Sequence, residues 1–171
     1  MTRRHDEFVL SLFPNVRGLA FVVFASPLTP VDWGAKDIRG PRKHARMFAA
    51  AKVLMEIHRP RILVFEDILK QGVRSRRRPH RLLQIIHAHA ESQALEVCTF
   101  TRAQVRQCFI GKPVRTKHQI AQAVATQIPA FDLLLPRQRR RWDSEFYSMG
   151  ILQAAALGIA FYHHRRMEKA A

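Results

Sequence analysis

The sequence predicts an α/β domain in which helices cover a mixed five-stranded sheet. Three strand-like segments follow one another with short turns between them, and helical segments then separate the third, fourth and fifth strands. Strands joined by tight turns pair antiparallel, whereas strands joined through a helix pair parallel. A doubly wound parallel sheet is the alternative, but the opening meander argues against it. The chain has 171 residues and no linker-like stretch, so one domain over residues 1–171 is expected.

Three apolar runs near the N-terminus predict the antiparallel part of the sheet. The first covers residues 8–13 and ends at a proline, and residues 14–18 have the composition of a turn. The second covers residues 19–25 and is close enough to pair with the first as a hairpin. A short third strand is centred on residues 31–34.

A helix and a buried strand follow the meander. Gly40-Pro41 opens the helix, whose apolar residues recur at helical spacing until a second proline ends it. Residues 62–65 are Ile-Leu-Val-Phe, a continuous apolar run typical of a strand buried on both faces. Glu66 and Asp67 come directly after it, where open α/β sheets place their sites. The acid pair therefore marks a candidate site, although such a pair can also begin a solvated loop.

The second half of the chain predicts one more strand and otherwise helices. A basic loop over residues 70–81 precedes an apolar-faced helix, and residues 95–100 alternate as a fifth strand. Thr101 and Thr116 are N-cap candidates for two further helices. A last helix, with one apolar face, is expected over about residues 144–166.

Charge is the strongest global signal. Lysine and arginine number 29 against 13 aspartates and glutamates, which gives a net charge of +16. Such an imbalance indicates a polyanionic partner, usually nucleic acid. An anionic membrane is disfavoured because no basic helix has an aromatic-rich apolar face. The absence of a long apolar run and of a signal-peptide pattern predicts a cytoplasmic protein. Cys98 and Cys108 lack metal or redox spacing and are interpreted as reduced thiols.

Four segments carry a resemblance to a known family. Residues 10–20 combine a strand, a proline, a short turn and a second strand, and residues 62–66 end in Glu66. Residues 116–121 read Thr-Lys-His-Gln-Ile-Ala, and residues 142–157 begin with Trp-Asp-Ser-Glu before an apolar helix. In order and spacing these segments resemble RuvC-type Holliday-junction resolvases. The resemblance implies a ribonuclease-H-like fold.

Two positions depart from the pattern of that family. The family carries an aspartate at the end of its first strand, where this chain has Phe13, and another in its last helix, where this chain has Gln153. Between Glu7 and Asp32 the sequence contains no other carboxylate. No neighbour on the first strand is therefore expected to replace the missing acid.

The resemblance implies phosphodiester hydrolysis by two divalent metals, Mg²⁺ or Mn²⁺, about 3.5–4 Å apart and held by carboxylates. The remaining candidates for catalytic and metal-binding residues are Glu66, Glu145 and Asp143. Glu145 and Gln153 lie eight residues apart, within about 80° on a helix, so Glu145 is expected to approach the site that Gln153 faces. Asp143 has helix capping as an alternative role. Asp67 should point to the opposite face of the sheet.

Two arginine-rich stretches flank these acids in the sequence. One follows the Glu66 strand and the other precedes the last helix, so both are expected to rim the site and to bind phosphates. A merely solvated basic face is the alternative. Trp142 is a candidate for stacking on bases, as is Trp33, although Trp33 is more typical of a core. The predicted nucleic-acid-binding residues are Arg74, Arg76, Arg77, Arg78, Arg81, Lys117, Arg137, Arg139, Arg140 and Arg141.

These observations lead to three hypotheses of function. The first is a RuvC-like protein that binds branched or duplex DNA and whose metal site is degraded. The second is an active Mg²⁺-dependent Holliday-junction endonuclease that uses Glu66 with Glu145 and Asp143. The third is a basic scaffold protein that contacts RNA or a protein partner. The resemblance also suggests a homodimer, since a junction offers two symmetric strands.

Overall fold

The protein folds as a sheet with helices packed on both faces. The computed structural model describes residues 7–68, 77–109, 111 and 114–171, with only the backbone for 77–79. In chain order the elements are β1 (Val9–Asn15), β2 (Gly18–Ser26), β3 (Thr29–Asp37), α1 (Lys43–His58), β4 (Ile62–Glu66), α2 (Arg77–Ser92), β5 (Glu96–Phe100), α3 (Arg102–Gln107), α4 (Lys117–Gln127), a 3₁₀ helix (Pro129–Leu134) and α5 (Tyr147–Ala170).

The five strands lie in the order β3-β2-β1-β4-β5. The strands β1, β2 and β3 form an antiparallel meander. The strand β4 then pairs parallel with β1, with Ser11 opposite Val64, and β5 pairs parallel with β4. The predicted fold class, a mixed five-stranded sheet with three antiparallel strands followed by parallel crossovers, is confirmed.

The strand β1 continues past the proline that was expected to end it. Pro14 lies inside the strand and pairs with Leu19 of β2. Proline cannot donate to a ladder of hydrogen bonds, but the parallel pairing with β4 has already ended at Ser11. The turn that follows is closed by Asn15, whose side-chain oxygen accepts hydrogen bonds from the backbone N–H groups of Arg17 and Gly18 at 2.8 and 3.1 Å.

The helix starts agree with the predicted caps in the middle of the chain and differ elsewhere. Thr101 and Thr116 are N-caps as predicted, and each forms a capping box with the glutamine three residues later. The helix α2 begins at Arg77, so the end of the expected basic loop is helical. The helix α5 begins at Tyr147 and not near Ser144, because residues before it form a separate turn.

Two apolar layers fill the space on either side of the sheet. One packs α1 and α2 against one face, and the other packs α4, α5 and the 3₁₀ helix against the opposite face. Thirteen consecutive residues of α5, Met149–Phe161, are buried. The helix is therefore enclosed on all sides and not on one face, because the sheet lies beneath it and α4 packs beside it. In the described part of the chain, no helix has the length and hydropathy needed to cross a membrane.

Two glycines allow α5 to lie directly on the sheet. A Cβ atom at Gly158 would stand 2.2 Å from Cε2 of Phe24, whose side chain is completely buried in β2. A Cβ atom at Gly150 would stand 2.6 Å from the Asn15 side chain at the end of β1. These contacts set how closely α5 lies on the sheet, Gly150 at the end of β1 that carries the site and Gly158 at the opposite end.

We expect Gly158→Ala to destabilise the protein. Alanine favours a helix by about 1 kcal/mol over glycine, but overpacking against Phe24 costs about 1–3 kcal/mol. Urea unfolding followed by circular dichroism should show a lower midpoint with an unchanged slope. The double variant Phe24→Leu/Gly158→Ala makes room for the methyl group and should be more stable than Phe24→Leu alone. An unchanged or higher midpoint in Gly158→Ala would contradict this packing.

Candidate functional site

The end of the sheet that carries Glu66 opens into a cleft of about 370 Å³. Phe13 and Glu66 each follow the Ser11–Val64 pair by two residues, so they occupy neighbouring positions at the ends of β1 and β4. Val64 lies in the core beneath α5, and Glu66 shares its side of the strand because side chains alternate. Six ionisable residues line this cleft: Lys43, His44, Glu66, Arg102, Lys117 and Glu145.

Glu66 is held by an arginine from the neighbouring strand connection. Its carboxylate is buried and lies 3.5 Å from Nε of Arg102. Arg102 is the first residue of α3, directly after Thr101 caps that helix. The ends of β4 and β5 are joined by a hydrogen bond of 2.8 Å from the Asp67 backbone N–H to the Phe100 carbonyl. The parallel pairing therefore brings Arg102 beside Glu66.

Glu145 is held by a lysine from α4. Nζ of Lys117 lies 2.8 Å from the carboxylate of Glu145, whose side chain is only 16% exposed. The same ammonium group lies 5.7 Å from the centre of the Phe13 ring, at the distance of a cation–π contact. Lys117 is the first residue of α4, and Thr116 caps that helix. The second cleft carboxylate thus also has a cation of the chain as its partner.

Gln153 is buried and acts as a link between helices. Its Nε2 donates to the backbone carbonyl of Lys117 at 3.1 Å and lies 3.5 Å from the Met149 sulfur. These contacts fix the start of α4 against α5. Gln153 and Glu145 therefore contact the same residue, Lys117.

Glu145 is positioned at the cleft by a different part of the structure from the one that the sequence predicted. It lies before α5 and not on its first turn, so the helical-spacing argument that related it to Gln153 is wrong. Instead, Nη1 of Arg17 donates to the Glu145 carbonyl at 3.1 Å, which fastens this extended segment to the β1–β2 turn. Glu145 nevertheless lines the same cleft as Glu66.

Asp143 is not among the residues that line the cleft. Its carboxylate accepts a hydrogen bond of 3.0 Å from the Arg140 backbone and lies 2.9 Å from Nη1 of Arg137. The Arg140 hydrogen bond and the Arg137 guanidinium hold the pKa of this carboxyl below its usual value. Asp143 therefore closes a turn, and the N-cap position of α5 belongs to Phe146. Asp67 lines an adjoining depression of about 140 Å³, which Glu66 also lines.

The predicted phosphate-binding residues fall into three groups. Arg81, Arg137, Arg139, Arg140 and Arg141 are exposed, and Lys117 is partly buried in the cleft. Arg77 and Arg78 belong to α2, where only the backbone is given, and Arg74 and Arg76 lie outside the described residues.

The sequence did not single out Lys43, His44 or Arg102, which also line the cleft. One signal was available for Arg102. It follows a capping threonine at the end of the strand next to β4, and parallel neighbours end at the same edge of a sheet. Lys43 and His44 open α1, and only the packing of that helix brings them to the cleft.

The residues of the cleft do not fit a pair of divalent metals. Such a site needs several carboxylates that converge, and here the positions beside Glu66 and on α5 hold Phe13 and Gln153. Among the described residues, no three His, Cys, Asp or Glu side chains form a group that could hold a metal ion. Three permanent cations, Lys43, Arg102 and Lys117, face two carboxylates.

Another surface cavity, of about 1060 Å³, lies at the opposite end of the sheet, where β1 and β4 begin. Its acids, Glu7 and Glu96, pair with Arg61 and Arg165. Burial raises the pKa of the Tyr162 hydroxyl there to about 12, so the group is neutral. Neither Glu66 nor Glu145 lines this cavity.

Comparison with known proteins shows similarity in structure and none in sequence. The chain matches no protein-family model and no curated protein. Its fold is similar to that of RuvC from Thermus thermophilus, with a TM-score of 0.66, 16% identity and coverage of 94% of this chain and 96% of that one. A structure of T. thermophilus RuvC in complex with a Holliday junction substrate gives the same TM-score at 17% identity, with the same coverage. The yeast mitochondrial Holliday junction resolvase gives 0.57 at 11% identity, covering 94% of this chain and 80% of that one. The chain therefore has the ribonuclease-H-like fold of RuvC.

Proposed function

We propose that the protein binds branched or duplex DNA through the cleft and its basic rim, and that its ancestral metal site is degraded. One observation carries the proposal: each cleft carboxylate has a cation of the chain as its partner, Glu66 with Arg102 and Glu145 with Lys117. A divalent metal would have to displace both cations and would gain only two carboxylates. The same cations attract a phosphate directly.

The charge of the cleft and its surroundings supports DNA as the partner. Lys43, Arg102 and Lys117 outnumber the two carboxylates, and the exposed arginines of residues 137–141 precede Glu145 along the chain. One guanidinium group can bind two phosphate oxygens at once. Such contacts position a duplex without reading its sequence. One protein of similar fold has been solved in complex with a Holliday junction substrate. Two copies of this chain would match the two-fold symmetry of such a junction.

We expect binding to a four-way junction that weakens steeply with salt, because each phosphate contact releases counterions. The double variant Arg139→Gln/Arg141→Gln should weaken binding roughly ten-fold and lower the slope of log K against log salt by up to about 2. Fluorescence anisotropy with a labelled junction and an equally long duplex, from low to physiological salt, measures both quantities.

A matched control removes the same charge from the far end of the sheet. Arg59→Gln/Arg61→Gln alters two exposed arginines beside the cavity where β4 begins. This variant should bind within about two-fold of the wild type, since net charge acts weakly beyond the Debye length of about 8 Å. Equal losses in both double variants would contradict a located binding surface. Binding that ignores DNA, or ignores salt, would favour the scaffold hypothesis.

The second candidate function, a Mg²⁺-dependent junction endonuclease, is favoured by one observation: Glu66 and Glu145 line the same cleft. We expect the junction to remain intact when it is incubated with the protein in Mg²⁺ or Mn²⁺ and analysed on a denaturing gel. Cleavage that disappears in Glu66→Gln would overturn the degraded site and establish the endonuclease. Cleavage that persists in Glu66→Gln would indicate a contaminating nuclease, and the preparation would be repeated from that variant.

The pairing of Glu66 with Arg102 predicts a measurable coupling. We expect Arg102→Gln to lower the free energy of unfolding by about 1–2 kcal/mol, because the largely buried Glu66 carboxylate loses its ion pair with Arg102. Adding Glu66→Gln should recover part of this loss, for a coupling energy of about 1 kcal/mol in a double-mutant cycle by urea unfolding. Additive effects of the two substitutions would mean that the pair contributes nothing to the fold.

A further inference from the structure

A short turn beside the cleft presents Trp142 to solvent. The backbone N–H of Asp143 donates to the Arg140 carbonyl at 3.1 Å, and the backbone N–H of Arg140 donates to the Asp143 carboxylate at 3.0 Å. Arg141 and Trp142 are therefore the central residues of a β-turn that two hydrogen bonds close.

Arg137 contacts the turn from one side. Its Nη1 lies 2.9 Å from the Asp143 carboxylate, and its guanidinium lies 5.3 Å from the centre of the Phe146 ring. The Asp143 carboxylate is ionised at neutral pH like any ordinary aspartate, and the Arg140 hydrogen bond and Arg137 lower its pKa further.

The turn is also fixed next to the cleft. Glu145 lines the cleft and its carbonyl accepts a hydrogen bond of 3.1 Å from Arg17. Three residues of extended chain span at most about 11 Å, so the Cα atom of Trp142 lies within that distance of the Cα atom of Glu145. The turn that carries the indole is therefore a neighbour of the cleft.

Trp142 is much more exposed to solvent than Trp33, the other tryptophan of the chain. Its indole is 78% exposed, whereas Trp33 packs edge-on against Phe131 with ring centres 5.1 Å apart. Residues 139–141 are all arginines, and the guanidinium of Arg140 lies 5.8 Å from the centre of the indole. Aromatic faces beside arginines bind unpaired nucleic-acid bases, which stack on the ring while the arginines contact the phosphates.

We propose that Trp142 is a stacking platform for an unstacked base of bound DNA, with Arg139 and Arg141 on the adjacent phosphates. The inference rests on the proposed DNA binding and adds the kind of DNA that is preferred. Inside a duplex, each base is covered by its neighbours, so the indole meets an open base face only at a branch point, at a duplex end or in a single strand. The platform therefore favours branched and single-stranded DNA over duplex, for every sequence.

Intrinsic fluorescence tests the platform directly, since the chain has two tryptophans. In a Trp33→Phe background, Trp142 is the only indole, and stacking on a base should quench its emission. We expect at least two-fold quenching at saturation with a single-stranded 20-mer or a four-way junction, and a much smaller change with a long duplex. Equal quenching by all three DNAs would overturn the platform.

Three substitutions at Trp142 separate stacking from other contacts. Trp142→Ala should weaken junction binding at least five-fold, equal to about 1 kcal/mol, whereas Trp142→Phe keeps an aromatic face and should lose less than half of that free energy. Trp142→Leu keeps an apolar side chain without a flat face and should behave like alanine. Duplex binding should change less than two-fold in all three variants. Because the side chain is exposed, unfolding midpoints should match the wild type.

The binding measurements distinguish a protein that binds DNA without stacking on Trp142 from a protein that binds no DNA. If the wild type binds junctions in a salt-dependent manner but Trp142→Ala binds equally well, the platform is wrong and the proposed function stands. If Trp142→Leu restores the binding that alanine loses, the contact is apolar and not stacking, which also overturns it. If the wild type binds no DNA, both proposals fail together.

Discussion

Lys117 joins four parts of the site. It forms an ion pair with Glu145 at 2.8 Å and lies over the Phe13 ring, while the carbonyl of the same residue accepts a hydrogen bond from Gln153. The end of β1, the start of α4, the body of α5 and the segment before it are thereby fastened together. Arg102 does the same for β4 and α3 through Glu66. Two cations of the chain thus pair with the two glutamates at this edge of the sheet.

This arrangement depends on how closely α5 approaches the sheet. Gly150 and Gly158 let the helix lie on Asn15 and Phe24, so that Gln153 reaches the backbone at Lys117. An aspartate in place of Gln153 could not donate to that carbonyl, and an aspartate in place of Phe13 would remove the ring beneath the ammonium group. The two departures from the resolvase pattern therefore support each other. The phenylalanine and the glutamine both stabilise the position of one lysine.

Helix caps and strands were predictable from local sequence patterns, whereas contacts between distant segments of the chain were not. The caps at Thr101 and Thr116 follow from residue type because capping involves only neighbours in the chain. Likewise, the apolar run before Glu66 predicts β4. The pairing of Glu66 with Arg102 depends on β5 lying beside β4, and no local pattern contains that information. The position of Glu145 also required tertiary contacts, since Arg17 fastens its backbone.

The central claim is that chain cations occupy the places that metal ions would need. The most direct measurement is anomalous X-ray diffraction from crystals of the protein with a four-way junction, soaked in Mn²⁺. We expect no anomalous peak between Glu66 and Glu145, with Arg102 and Lys117 in contact with these carboxylates or with a DNA phosphate. A manganese peak coordinated by both glutamates, with the two cations displaced, would contradict the account.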